Sequence, residues 1–168
     1  KTMEEDLEYV LELKYDGVAI SLTYQNGQLV RGVTRGDGEK GDDVTRNIRT
    51  INSIPLTLQE NDYPEEFEIR GEVFMTREGF KKMNETRENA GLPLFANPRN
   101  ATSGTLKLQN SAEVAKRPLD CFLYYLPGTG LPYENHYDNF MTARDWGFRV
   151  PAEFTRKVKT IDEIFDYI

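Results

Sequence analysis

Cysteine is almost missing from this chain of 168 residues, where Cys121 stands alone. It can form no internal disulfide, which suits a reducing compartment, and its place in the apolar run 119–126 gives it a packing role. Long apolar runs are missing too. Nothing approaches the ~20 residues that span a bilayer, and the charged opening Lys1-Thr2-Met3-Glu4-Glu5-Asp6 is no secretory signal. A basic surplus is also lacking: 21 Lys and Arg stand against 28 Asp and Glu, a net charge of -7. That excludes a molecule-wide field drawing in nucleic acid, so any DNA contact must come from a local patch or from other parts of a longer protein. No internal repeat, low-complexity tract or linker divides the chain, and one domain over 1–168 is expected. What is present, 38% hydrophobic and 11% aromatic residues, supplies an ordinary globular core and argues against disorder.

The run Leu11-Glu12-Leu13-Lys14-Tyr15-Asp16-Gly17 brings ionisable groups out of an apolar sequence just before a glycine. Read as a strand over 9–15, it sends Leu11, Leu13 and Tyr15 to one face and Glu12, Lys14 and Asp16 to the other. A lysine held on such an element can be aimed at an electrophile and form a covalent intermediate. The plainer alternative is a solvated face with a Glu-Lys-Asp charge series. Alternation then resumes over 18–24 and 29–34 around Asn26-Gly27, the strongest short-range hairpin signal because both central residues need positive φ. The segment 34–43 carries Gly36, Gly38 and Gly41, which allow close approach to a ligand, unless it is a mobile surface connection. Asp42 or Asp43 can cap a short helix through Val44, Ile48 and Ile51.

The strand over 67–75 puts Phe67, Ile69, Val73 and Met75 on one face and Glu68, Arg70 and Glu72 on the other. That mixed face is either a ladder of ion pairs or part of a site, and Gly71 signals close packing. Thr76 caps a helix ending near Gly91. The segment 94–107 reads as a structured loop leading into a short helix, with Arg99 and Lys107 as its only cations. An apolar strand over 119–126, central in its sheet, is followed by a helix over 134–146 and an edge strand over 153–159. Strands joined by tight turns, with helices at irregular intervals and no βαβ period, predict an α+β domain with antiparallel sheets. The chain opens on Lys1 and closes within a helix begun by the capping box Thr160-Ile161-Asp162-Glu163, so an excised piece of a longer protein is expected.

Lys14-Tyr15-Asp16-Gly17, Arg35-Gly36-Asp37-Gly38 and Arg70-Gly71-Glu72-Val73, in this order, resemble the motifs of the covalent nucleotidyltransferases, the DNA ligases, RNA ligases and mRNA capping enzymes. The stretches ELKYDG, TRGDGEKGDDVTRNIRTI, EIRGEVFM and FANPRNATSGTL narrow the resemblance to the adenylation domain of bacterial NAD-dependent DNA ligase. The resemblance implies the nucleotidyltransferase fold, antiparallel sheets flanked by helices, and a three-step reaction. A lysine attacks the α-phosphate of NAD and NMN leaves; AMP passes to the 5′-phosphate at a nick in duplex DNA; the 3′-hydroxyl then displaces AMP.

Lys14 matches the nucleophile, Asp16 its supporting carboxylate, Glu12 the residue beside adenine, Arg35 a ribose and phosphate contact, and Glu72 the ribose-side carboxylate. Arg99 and Lys107 match residues that touch DNA phosphates, Lys107 replacing an arginine and so a forked contact by a point charge. The resemblance further implies Mg2+ as cofactor, with Asp16 supporting the lysine and its metal-assisted chemistry, and zinc only in a module outside this chain; no residue here is singled out as a metal ligand. It implies a cytoplasmic monomer acting in DNA replication and repair, with nicked DNA and NAD as partners and no membrane.

A free lysine, with a pKa of about 10.4, leaves roughly one amine in a thousand unprotonated near neutral pH. Neighbouring carboxylates favour the charged form, so activation needs desolvation, a divalent cation or further cations. The family takes extra lysines from an I-D-G-V-V-I-K type strand and a K-F-P type strand, neither of which occurs here. Also outside the chain are the N-terminal NMN-binding region and the OB-fold, zinc, helix-hairpin-helix and BRCT modules. The expectation is a fragment inactive in ligation and at best feeble in self-adenylation. The alternatives are an ATP-dependent ligase or capping enzyme, and a non-catalytic nucleotide-binding module.

Overall fold

The computed structural model describes residues 7–36, 40–59 and 62–168, so Asp37 and Gly38 of the glycine-rich segment lie outside the described residues. The chain divides into two compact units, 1–14 with 151–168 and 15–150.

The larger unit is built on a four-stranded antiparallel sheet in the order β3-β2-β4-β5, from β2 (Val18–Gln25), β3 (Gln28–Thr34), β4 (Glu66–Met75) and β5 (Leu119–Tyr125). The hairpin between β2 and β3 turns on Asn26 (φ 49°) and Gly27 (φ 73°), the left-handed pair that matches the twist of the flanking strands. Period-two patterning then assigns the faces. Ile20, Leu22 and Tyr24 of β2 and Phe67, Ile69 and Val73 of β4 enter one core with Leu106, Trp146 and Phe148. At its centre Trp146 is wholly buried, and its indole N–H donates to Asp62 Oδ1 at 2.6 Å.

The opposite face is polar. Ala19, Ser21 and Thr23 of β2 stand beside Glu72, Arg70 and Glu68 of β4 in register. Helix α1 (Thr45–Ile48) is a single turn whose N-cap is Val44; Asp43 still accepts from the N–H and hydroxyl of Thr45. Helix α2 (Arg77–Asn89) begins on the Thr76 cap, and Gly91 follows with φ 66°. Helix α3 (Pro98–Leu106) is longer than the short helix expected, because Asn97 accepts from the N–H of Asn100 and Pro98 fits the first turn. Helix α4 spans Ser111–Ala115 and α5 spans His136–Asp145.

Strand β5 corrects one expectation: it lies at the sheet edge, not the centre. Its apolar run reflects burial on both faces. Cys121 and Leu123 enter the core, while Phe122 packs on the other side against Tyr15 at 4.9 Å and Phe74 at 5.2 Å between ring centroids.

The smaller unit pairs β1 (Tyr9–Leu11) antiparallel to β6 (Arg156–Val158), and helix α6 (Ile161–Tyr167) follows with both halves of the Thr160–Glu163 capping box formed. Two strand expectations are corrected here. The strand expected over 153–159 shrinks to three residues because Ala152–Phe154 forms a 3-10 turn. The strand expected over 9–15 stops at Leu11, whose register partner Arg156 is the first residue of β6, so no pairing partner remains. Glu12, Leu13 and Lys14 are all exposed, and strand alternation is therefore not what orients them.

Candidate active site

The chain bends at Gly17 before entering β2. The Gly17 N–H donates to Glu72 Oε1 at 3.1 Å, across 55 residues of sequence. A Cβ at Gly17 would meet the Val73 carbonyl oxygen at 2.1 Å, so only glycine lets this turn press against β4. Two stretches singled out in the sequence, Lys14-Tyr15-Asp16-Gly17 and Arg70-Gly71-Glu72-Val73, are thereby tied together.

Glu72 is half-buried, and its second oxygen accepts from the Tyr124 hydroxyl at 3.3 Å. Burial is the largest influence on its carboxyl and pushes its pKa up, as does the Asp16 charge; the Gly17 N–H, Tyr124 and Arg99 oppose this without overcoming it. Tyr124 is in turn pushed up to about 12 by burial and by the Glu72 charge, and it stays a hydroxyl donor. Asp16 is exposed, with Arg99 Nη1 3.8 Å from its Oδ1. Asp16, Tyr124 and Arg99 therefore all act electrostatically on Glu72.

Arg35 follows β3, its N–H donating to the Ala19 carbonyl at 2.8 Å. It lines a cleft of about 640 Å³ over the polar sheet face, with Ser21, Glu68 and Arg70. Glu68 shows two competing effects. Desolvation is the largest and raises its pKa, but hydrogen bonds from Arg70 (2.5 Å) and Ser21 and the charges of Arg70 and Arg35 together outweigh it, and the net direction is down.

Lys107 caps the C-terminus of α3, where its Nζ lies 2.9 Å from Asp42 Oδ2. Arg99, Lys107, Gly17 and Gly36 line a second cleft of about 410 Å³. Glu12 and Lys14 belong to the smaller unit, both exposed. The larger unit thus brings Asp16, Glu72 and Arg99 together, sets Lys107 on the same cleft as Arg99, and holds Arg35 on the polar sheet face.

Sequence reasoning missed Tyr124, Lys40 and Asp42. A signal existed for Tyr124: a tyrosine inside an apolar strand needs a partner for its hydroxyl. Lys40 and Asp42 had no comparable signal, because glycine-rich segments take their shape from tertiary contacts. No helix of the described residues is long and apolar enough to cross a membrane.

The chain is 59% identical over 168 residues to the DNA ligase of Phocaeicola vulgatus, 58% identical to that of Bacteroides fragilis and 57% identical to that of Parabacteroides distasonis. Each match covers 100% of this chain and 25% of the relative, so the chain spans about a quarter of the length of the curated relatives it matches. A family model described as "NAD-dependent DNA ligase adenylation domain" matches residues 1–168. A match across the whole chain establishes the affiliation: the protein belongs to the NAD-dependent DNA ligase adenylation domain family.

Proposed function

We propose that the chain is the adenylate-accepting part of a DNA ligase that seals nicks in duplex DNA with NAD as AMP donor, on the covalent nucleotidyltransferase fold. One observation carries this reading: the hydrogen bond from Gly17 to Glu72 joins the turn that directly follows Lys14 to the carboxylate strand β4.

In the first step the Lys14 amine attacks the α-phosphorus of NAD. An N–P bond forms, the P–O bond of the pyrophosphate breaks, and NMN leaves with the electron pair while the amine loses its proton. Glu72 suits a ribose hydroxyl. A carboxylate has about four acceptor sites, and Gly17 and Tyr124 use two of them. Arg35, exposed and always charged, suits phosphate or ribose, and Glu12 the adenine. Mg2+ is a hard cation bound by one or two carboxylates together with substrate phosphates, and exposed Asp16 fits that role; when bound, the ion would offset phosphate charge. Arg99 and Lys107 supply donors to DNA phosphates.

The test uses the full-length ligase. Lys14→Ala is expected to keep the fold, by circular dichroism, and to abolish both the NAD-dependent gain of one AMP in the protein mass and nick sealing. Sealing that survives the substitution would overturn the reading.

A further inference from the structure

Strand pairing ends at Leu11, and Glu12, Leu13 and Lys14 are exposed, so what fixes the course of the chain at position 14 must come from the residues that follow. Tyr15 is half-buried. Its ring packs against Phe122 at 4.9 Å, tilted by 47°, and against Phe74 at 6.2 Å, stacked at 20°. Phe74 and Phe122, 5.2 Å apart, complete a three-ring cluster. Phe122 is also held by Arg149, whose guanidinium carbon lies 4.8 Å from the ring centroid and which pairs with Asp120. None of the three rings belongs to the main core. Phe74 continues the face of β4 that carries Glu68, Arg70 and Glu72, so the cluster stands on the polar side of the sheet.

Register makes this patch a neighbour of the carboxylate. Phe122 stands opposite Glu72 in the pairing of β4 with β5. Tyr15 packs on Phe122, while Gly17, two residues on, donates to Glu72. Chain and sheet are thus joined twice within three residues, once by a ring contact and once by a hydrogen bond, on two cross-strand partners. One contact fixes a point; two fix a direction as well. Consecutive Cα atoms are about 3.8 Å apart, so holding Tyr15 confines the backbone from which the Lys14 side chain starts. Attack of an amine on phosphorus is sensitive to this, because a displacement of about 1 Å from the productive geometry can cost roughly 10²-fold in rate.

We propose that Tyr15 is a positioning residue: its ring, seated on Phe74 and Phe122, sets the course of the backbone that delivers the Lys14 amine to the α-phosphorus of NAD. The role rests on the ligase reading above. The ring acts through the backbone and takes no part in bond making. In the first two steps the Lys14 nitrogen forms and then gives up its bond to phosphorus. In the third, the 3′-hydroxyl oxygen bonds to the DNA 5′-phosphorus, the hydroxyl proton is released and AMP leaves with the electron pair, so no bond to Lys14 is made or broken. Only the first two steps therefore depend on the seat of Tyr15.

The experiment uses the full-length ligase and reads the steps apart. Single-turnover gain of AMP from NAD reports the first, and sealing of a nick supplied already adenylated reports the third. Tyr15→Ala is expected to lower the limiting rate of AMP gain roughly 10²-fold at saturating NAD. The NAD concentration at half-maximal rate and sealing of the preadenylated nick are both expected to stay within about twofold of the parent. Tyr15→Phe keeps the ring and is expected to restore the rate. Phe122→Leu trims the seat without touching Tyr15 and is expected to slow the same step roughly tenfold. A parental rate of AMP gain in Tyr15→Ala overturns the proposal, as does a parental rate in Phe122→Leu where the alanine chain does not fold. An equal loss on the preadenylated nick also overturns it and assigns the ring to stability alone. A change confined to the half-maximal NAD concentration overturns it too and makes the ring part of the dinucleotide site. The two readings fail separately: surviving sealing in Lys14→Ala sinks the ligase, whereas unaltered AMP gain in Tyr15→Ala sinks only the positioning role.

Discussion

Glu72 is the residue on which the sheet's polar face balances. Because burial raises its carboxyl pKa in the folded chain, the folded state holds more protons than the unfolded one just above the ordinary carboxylate range. Its contribution to stability is therefore fully present below its unfolded pKa and is lost as pH rises through the raised folded value. Thermal melts of the parental chain and of Glu72→Gln from about pH 4 to 7 should differ by this fall, the variant lacking the parental loss of stability as pH rises. An identical slope in the variant would show that burial does not govern this group. Gly17 is a stricter case. A Cβ 2.1 Å from the Val73 carbonyl cannot be absorbed by a side-chain movement, so Gly17→Ala should cost about 2 kcal/mol or more in denaturant unfolding. Lys14, Asp16 and Glu72 could be singled out in the sequence as candidates because their motifs are local. The bond from Gly17 to Glu72 was not, because it spans 55 residues and depends on the register of β2 against β4.

Helix α3 shows how an element sets a residue's task. Its Asn97 cap fixes the first turn, which carries Arg99, and its last turn ends at Lys107. Asn97→Ala should cost about 1 kcal/mol of stability. It should also weaken nicked-DNA binding by the full-length ligase, since fraying the first turn loosens Arg99; binding that is unaffected would detach Arg99 from that role. Elements with a strong period were legible: the hairpin on Asn26-Gly27, β4 but for its first residue Glu66, and α2 behind its Thr76 cap. Those shaped by partners were not. β1 stops where β6 offers no further pairing, and β5 looked central because Phe122 is buried on the face away from the core. The glycine-rich segment between β3 and α1 has no period at all, so its cleft-lining members, Lys40 and Asp42, could not be foreseen.

At the scale of the molecule, the chain spans a quarter of the length of its relatives, and the ligation chemistry proposed above belongs to the longer protein. The chain alone, incubated with NAD, Mg2+ and nicked DNA, should produce no sealed product on a denaturing gel; sealing would show the I-D-G-V-V-I-K and K-F-P type strands to be dispensable. The larger unit also carries its own optical reporter. Trp146 is the chain's single tryptophan, and it sits wholly buried, bonded to Asp62 and 5.3 Å from the ring of Phe67. Its emission should be blue-shifted in the native chain and move to the red when the sheet unit melts, with no signal from α6 or the β1–β6 pair. Fluorescence follows the larger unit and circular dichroism the whole chain, so non-coincident transitions on one sample would reveal units that unfold independently.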